Sequence, residues 1–148
     1  MKALVIDGST VLGFLLKDGR DEGASMALAA IERGVPTYIP AHCRVETSNG
    51  LLVAERRKRI TQSDVTEALG LLGALPLTTD AETATKAGGE TIALARQYGL
   101  TIYDAAYLEL AMRRGATLAT NDLELAKAAQ AAGVALLSAA PTPSANPL

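Results

Sequence analysis

Four short apolar runs, Ala3 to Ile6, Thr37 to Ile39, Thr117 to Ala119 and Val134 to Leu137, constrain this chain more than any of its other features. Each is bounded by polar, Gly or Pro residues, which is how strands buried on both faces of a parallel sheet read. A weaker fifth run, Leu75 to Leu77, is interrupted by Pro76. Between the runs lie segments with helical periodicity: Glu22 to Arg33, Val45 to Arg57, Ser63 to Leu72, Thr83 to Tyr98, Asp104 to Arg114 and Asp122 to Ala131. Gly34, Gly99, Gly115 and Gly133 each follow such a segment and are candidate C-caps. Strand and helix alternate with short connections, which predicts a three-layer α/β/α domain over 1–137. Its mostly parallel central sheet has four to five strands, with helices on both faces. In such sheets ligands bind beyond the carboxyl ends of the strands. The segment 138–148 carries three prolines and no apolar period, and reads as a flexible Pro-rich C-terminal tail.

Charge and cysteine content narrow the function classes. Fourteen Lys and Arg stand against sixteen Asp and Glu, a formal charge of -2, so no global positive field draws in polyanions and any nucleic-acid contact must be local. One Cys and one His exclude an internal disulfide and a four-ligand N/S zinc site within the chain. Cytoplasmic localisation is expected. Asp7 stops the first apolar run after four residues, too short for a signal-peptide core, and no run approaches the length of a membrane span.

The sheet prediction gives particular acidic residues a place. Asp7 directly follows the first strand and should project from the carboxyl edge; alternatively it caps a helix beginning near Ser9. Asp122, in Thr120-Asn121-Asp122, repeats this position after the Thr117 to Ala119 strand, with a capping role for Asn121 and Glu124 as the alternative. Glu46 shares a helical stripe with Asn49, Gly50 and Val53, although a carboxylate in a first turn also complements the helix dipole. Asp104 begins a stripe through Tyr107, Leu108 and Ala111 that otherwise packs inward, but Thr101 to Asp104 also resembles a capping box. Carboxylates gathered in one cleft repel each other and take up protons unless a cation neutralises them. All-oxygen ligands suit Mg2+ or Mn2+. An ion so held lowers the pKa of a bound water and stabilises a leaving oxygen, which predicts metal-dependent phosphodiester hydrolysis.

Four segments in order carry a family likeness: Val5-Ile-Asp7-Gly-Ser9, Glu46-Thr-Ser-Asn49-Gly-Leu51, Tyr103-Asp104-Ala-Ala-Tyr107-Leu-Glu-Leu-Ala111 and Leu118-Ala-Thr120-Asn-Asp122. From about Met1 to Leu137 the chain resembles PIN-domain proteins, and more narrowly the VapC-like ribonuclease toxins of type II toxin-antitoxin pairs. The resemblance implies that Asp7, Glu46, Asp104 and Asp122 are catalytic and bind the metal, with Ser9, Asn49 and Thr120 as supporting polar groups. It further implies endoribonuclease activity on RNA, Mg2+ or Mn2+ as cofactor, a homodimer, and an antitoxin that covers the active-site groove. Gly8 stands where Ala or Ser is more usual, a small-for-small change.

Other features carry less. Arg56-Arg57-Lys58-Arg59, helped by Arg44, Arg113 or Arg114, could guide an RNA backbone, but basic residues also suit a helix carboxyl end. Tyr103 and Tyr107 could stack on bases, yet at helical spacing they read more readily as core or interface. His42 beside Cys43 makes a poor catalytic dyad because neighbouring side chains point apart. No Walker-type motif, Gly-x-Ser-x-Gly elbow or dinucleotide fingerprint is present. An aspartyl-phosphate mechanism of the haloacid dehalogenase kind wants a second Asp where Ser9 stands. A competing class is a catalytically inactive PIN-fold module that only binds RNA or protein.

Overall fold

The computed structural model describes residues 1–16 and 21–138. The strands β1 (Leu4–Ile6), β2 (Thr37–Ile39), β3 (Leu77–Thr79) and β4 (Thr117–Ala119) form one sheet in the order β3-β2-β1-β4, every pair parallel. Leu4, Val5 and Ile6 are wholly buried, as a central strand covered on both faces requires. Leu4 pairs with Thr37 on one side and Thr117 on the other, which aligns the strand ends. β2 and β3 lie to one side of β1 and β4 to the other, so the chain reverses its direction of build at β1. That is the switch point where such sheets open a crevice.

The helices are α1 (Gly8–Leu15), α2 (Glu22–Glu32), α3 (Cys43–Arg56), α4 (Gln62–Ala74), α5 (Thr83–Lys86), α6 (Ile92–Tyr98), α7 (Ile102–Arg114) and α8 (Leu123–Ala131). α1 packs on α2 and α3, and α7 lies against β1, β2 and β4. α7 buries the stripe that its sequence predicts, Tyr107, Leu108 and Ala111, and with it the remaining residues from Ala105 to Ala111, Glu109 included. Gly99 before α7 and Gly115 after it adopt positive φ of 68° and 58°, which bracket this helix with tight turns open to residues without a Cβ.

Three expectations shift. The strand expected at Leu75 to Leu77 begins only at Leu77 and runs to Thr79, because Pro76 has no N–H to give a ladder. The Val134 to Leu137 run reaches β4 through a single bridge, Leu118 with Leu136, so the sheet has four strands rather than five. The helix expected from Thr83 to Tyr98 is broken by a π-helical turn, Ala87–Thr91, where Gly88 and Gly89 weaken the α-helical ladder. The expected tail, apart from Ser138, falls outside the described residues.

Candidate active site

Asp7 directly follows β1 and caps α1, accepting the Thr10 N–H at 2.9 Å. Its side chain is buried and also accepts Ser9 Oγ at 2.7 Å and the Thr120 hydroxyl. These donors satisfy a carboxylate that burial would otherwise penalise. Each hydroxyl accepts a backbone N–H in turn: Ser9 Oγ from Asn121 at 3.0 Å, Thr120 Oγ1 from Asp122 at 2.9 Å. Asp7 is thereby tied across the switch point to the loop that follows β4. Asp122 itself, rather than Asn121, caps α8, accepting the Glu124 and Leu125 N–H groups at 2.9 and 3.1 Å. The Asn121 amide instead donates to Asp21, the cap of α2.

Glu46 lies in the first turn of α3, where its Cβ is 3.6 Å from the position a side chain on Gly8 would take. A small residue at position 8 therefore keeps α3 close to Asp7. Tyr107 Oη donates to Glu46 Oε1 at 2.7 Å, and His42 Nε2 lies 3.2 Å from the same oxygen and 3.1 Å from the Tyr103 carbonyl. Tyr107 is both core and site: its ring is buried in the core cluster while its hydroxyl reaches the acidic edge. Burial, followed by its contacts with Cys43 and Glu46, pushes the phenol pKa far up, so Tyr107 is a fixed donor. Sequence reasoning placed Tyr107 in the core and missed its link to Glu46 across 61 residues; an OH-bearing aromatic three residues after Asp104 was the available signal.

Asp104 sits in the first turn of α7. Only half of the expected capping box forms there: Thr101 Oγ1 accepts the Asp104 N–H at 3.1 Å. The complete box occurs elsewhere, between Thr61 and Asp64. The Asp104 carboxyl pKa is raised, first by partial burial and then by the charges of Asp122, Glu46 and Asp7. Asp104 therefore faces the charges of the other three acidic residues across the carboxyl edge.

Among the described residues no three His, Cys, Asp or Glu side chains form a ready-made cage for an ion. The donor chemistry nevertheless fits a hard cation: the groups are carboxylates and hydroxyls, and burial together with the neighbouring negative charges raises Asp104. Mg2+ keeps several of its own waters, so it suits an open arrangement of carboxylates.

The remaining candidates lie apart. Asn49 is exposed on α3, and no hydrogen bond joins it to the four carboxylates among the described residues. Arg56, Arg57, Lys58 and Arg59 are exposed at the far end of α3, ten residues or about 15 Å along the helix from Glu46. Arg44 is half-buried nearer the acidic edge. Arg113 is committed to Asp80, Glu82 and Glu109, and the exposed Arg114 holds its guanidinium over the Tyr38 ring at 4.4 Å. Cys43 is buried and its pKa is pushed up to about 11, mainly by desolvation, so its thiol stays protonated near neutral pH. His42 turns instead toward Glu46 and the tyrosines.

The PIN domain family profile matches residues 4–131, a span that holds the whole acidic edge. The chain belongs to the PIN domain family. It is 27% identical over 124 residues to the Pyrobaculum aerophilum protein Ribonuclease VapC3, covering 84% of this chain and 92% of that protein. Among solved structures it is similar to Rickettsia felis VapBC2 bound to a promoter DNA fragment, with TM-score 0.58 and 16% identity over 90% of this chain and 96% of that one. Mycobacterium tuberculosis VapC20, a toxin that cleaves the sarcin-ricin loop, gives 0.57 and 15% over 85% and 95%. These structural likenesses establish the PIN fold, its parallel sheet flanked by helices.

Proposed function

We propose that this PIN-domain protein is a metal-dependent endoribonuclease and the toxin of a toxin-antitoxin pair. The placement of Asp7, Glu46, Asp104 and Asp122 at helix starts beside the sheet's switch point, with Asp104 facing the charges of the other three, carries this reading. The likeness to Ribonuclease VapC3 over most of both chains supports RNA as substrate. Asp7, Glu46, Asp104 and Asp122 would hold Mg2+ or Mn2+, which supplies an activated water and neutralises charge on the leaving oxygen. Ser9 and Thr120 hold the Asp7 carboxylate, and Tyr107 and His42 hold that of Glu46. Burial of Asp7 and Tyr107 restricts water on the sheet side, which strengthens every charge interaction there.

An antitoxin covering the groove is part of the same reading. Val45 and Leu123, adjacent in sequence to Glu46 and Asp122, are 71% and 75% exposed and offer apolar purchase beside the acidic edge. The named likeness to VapBC2 also favours it. A cytoplasmic homodimer completes the proposal, with half-exposed Leu52, Leu69 and Leu71 on α3 and α4 as available apolar surface. Arg44 is the basic residue best placed to meet an RNA backbone; the exposed run from Arg56 to Arg59 would reach only a longer substrate.

Purified protein incubated with cellular RNA and Mg2+ or Mn2+, beside EDTA and Asp7→Asn controls, tests the nuclease reading. Discrete fragments lost in both controls are expected. Intact RNA under every condition would favour a module that binds without turnover.

A further inference from the structure

Beside the acidic edge, a pocket of about 170 Å3 opens between the π-helical turn and the start of α7, lined largely by alanine side chains such as Ala84, Ala87 and Ala106. His42 and Tyr103 form the wall it shares with the acidic edge, their rings in edge contact at 5.6 Å, and Tyr103 is 62% exposed. Thr91, the last residue of the π-helical turn, also lines it. Thr91 is 1% exposed, and its hydroxyl is the buried side-chain polar atom without a hydrogen-bond partner among the described residues. Thr83, by contrast, spends its hydroxyl on Asp80 and the Ala41 N–H.

A buried hydroxyl left unpaired costs free energy that a bound group with a polar edge can recover. An apolar side chain would fill the pocket and leave Thr91 unpaired. A nucleobase satisfies both features, since it is flat, stacks on an aromatic ring and carries donors and acceptors on its rim. π-helical turns also recur at functional sites. We propose that this pocket seats one base of the RNA beside the scissile phosphate, its face against Tyr103, with the buried Thr91 hydroxyl turning into the pocket to bond its edge. The inference rests on the acidic edge being the site of RNA cleavage. His42, which bridges the pocket wall and Glu46, couples the seated base to the acidic groups.

Short single-stranded RNAs with one abasic nucleotide, moved position by position, are titrated against the full chain in EDTA and again in Ca2+. Cleavage of the intact RNA is measured in parallel with Mn2+. Removal of one particular base should weaken binding about tenfold, and that positional penalty should vanish in Thr91→Val and in Tyr103→Ala. Thr91→Val removes a hydroxyl that has no partner in the free protein, so its melting temperature should not fall; this separates loss of binding from loss of fold. A flat scan with cleavage intact overturns the pocket and leaves the nuclease reading standing. A positional penalty without any metal-dependent cleavage does the reverse. RNA that fails to bind, or a dimer that Tyr103→Ala converts to monomer, assigns the pocket to something other than a base.

Discussion

Two groups of carboxylates stand beyond the carboxyl ends of this sheet, and the chain handles their charge in opposite ways. Asp80 follows β3 as Asp7 follows β1, and Asp80 is equally buried. Around Asp80, one guanidinium compensates the charge from within: Arg113 reaches Asp80 at 2.7 Å, Glu109 at 2.8 Å and Glu82 at 3.1 Å. The Asp80 pKa is lowered, chiefly by Arg113. At the acidic edge no such cation is built in among the described residues, and Asp104 shifts the other way. The fold neutralises the first group from within and leaves Asp104 in the second facing like charges, a repulsion that the proposed external cation would relieve.

The largest effect should come from removing the internal cation. Arg113→Met leaves Asp80 and Glu109 buried and unpaired, which should cost about 3–5 kcal/mol of stability measured by urea unfolding. A loss under about 1 kcal/mol would mean that the cluster is solvated and that the contrast with the acidic edge is false. Next comes Asp104→Asn. Even partners one step removed from a metal commonly cost 10–100-fold, so loss of a direct ligand should lower Mn2+-dependent cleavage by more than about 100-fold. Retention of the wild-type rate would remove Asp104 from the site.

How much of this was legible in the sequence follows from locality. Asp7 and Asp122 are read from a few residues, because an acid directly after a short apolar run has few places to go. The capping role of Asp7 was legible as well, whereas the cap of α8 was expected at Asn121 and falls on Asp122; both acids are a cap and an edge position at once. Asp80 stayed hidden because Pro76 drew the expected strand two residues early, away from the junction that would have singled it out. Its partner Arg113 lies 33 residues on, a pairing that no local pattern encodes. The Tyr107 to Glu46 bond is hidden for the same reason, and so is the pocket, whose π-helical turn replaces part of a sequence that reads as continuous helix.

A smaller effect tests that long-range bond. Tyr107→Phe keeps the buried ring but frees Glu46 from its hydroxyl donor. Cleavage should fall on the order of tenfold, through Glu46 orientation, while stability changes by only about 1 kcal/mol. Loss of both in proportion would make Tyr107 a packing residue alone.

The smallest effect sharpens the comparison most directly, because the two groups should give pH dependences of opposite sign. Asp80 has a lowered folded pKa, so the unfolded chain binds more protons in its window. Its stabilisation is complete above the unfolded value of about 3.9 and is lost as pH falls through the folded one. Asp104 has a raised folded pKa, so the native state holds its proton longer. Its contribution is most favourable below about 3.9 and declines as pH rises through the folded value, leaving a penalty at neutral pH. Asp104→Asn should therefore raise the urea midpoint of the metal-free protein slightly near pH 7 while abolishing cleavage. Mg2+ or Mn2+ should narrow that gap by stabilising the wild type and not the variant. If Asp104→Asn instead lowered the metal-free midpoint, Asp104 would be compensated within the fold as Asp80 is, and the acidic edge would lose its claim on an external ion.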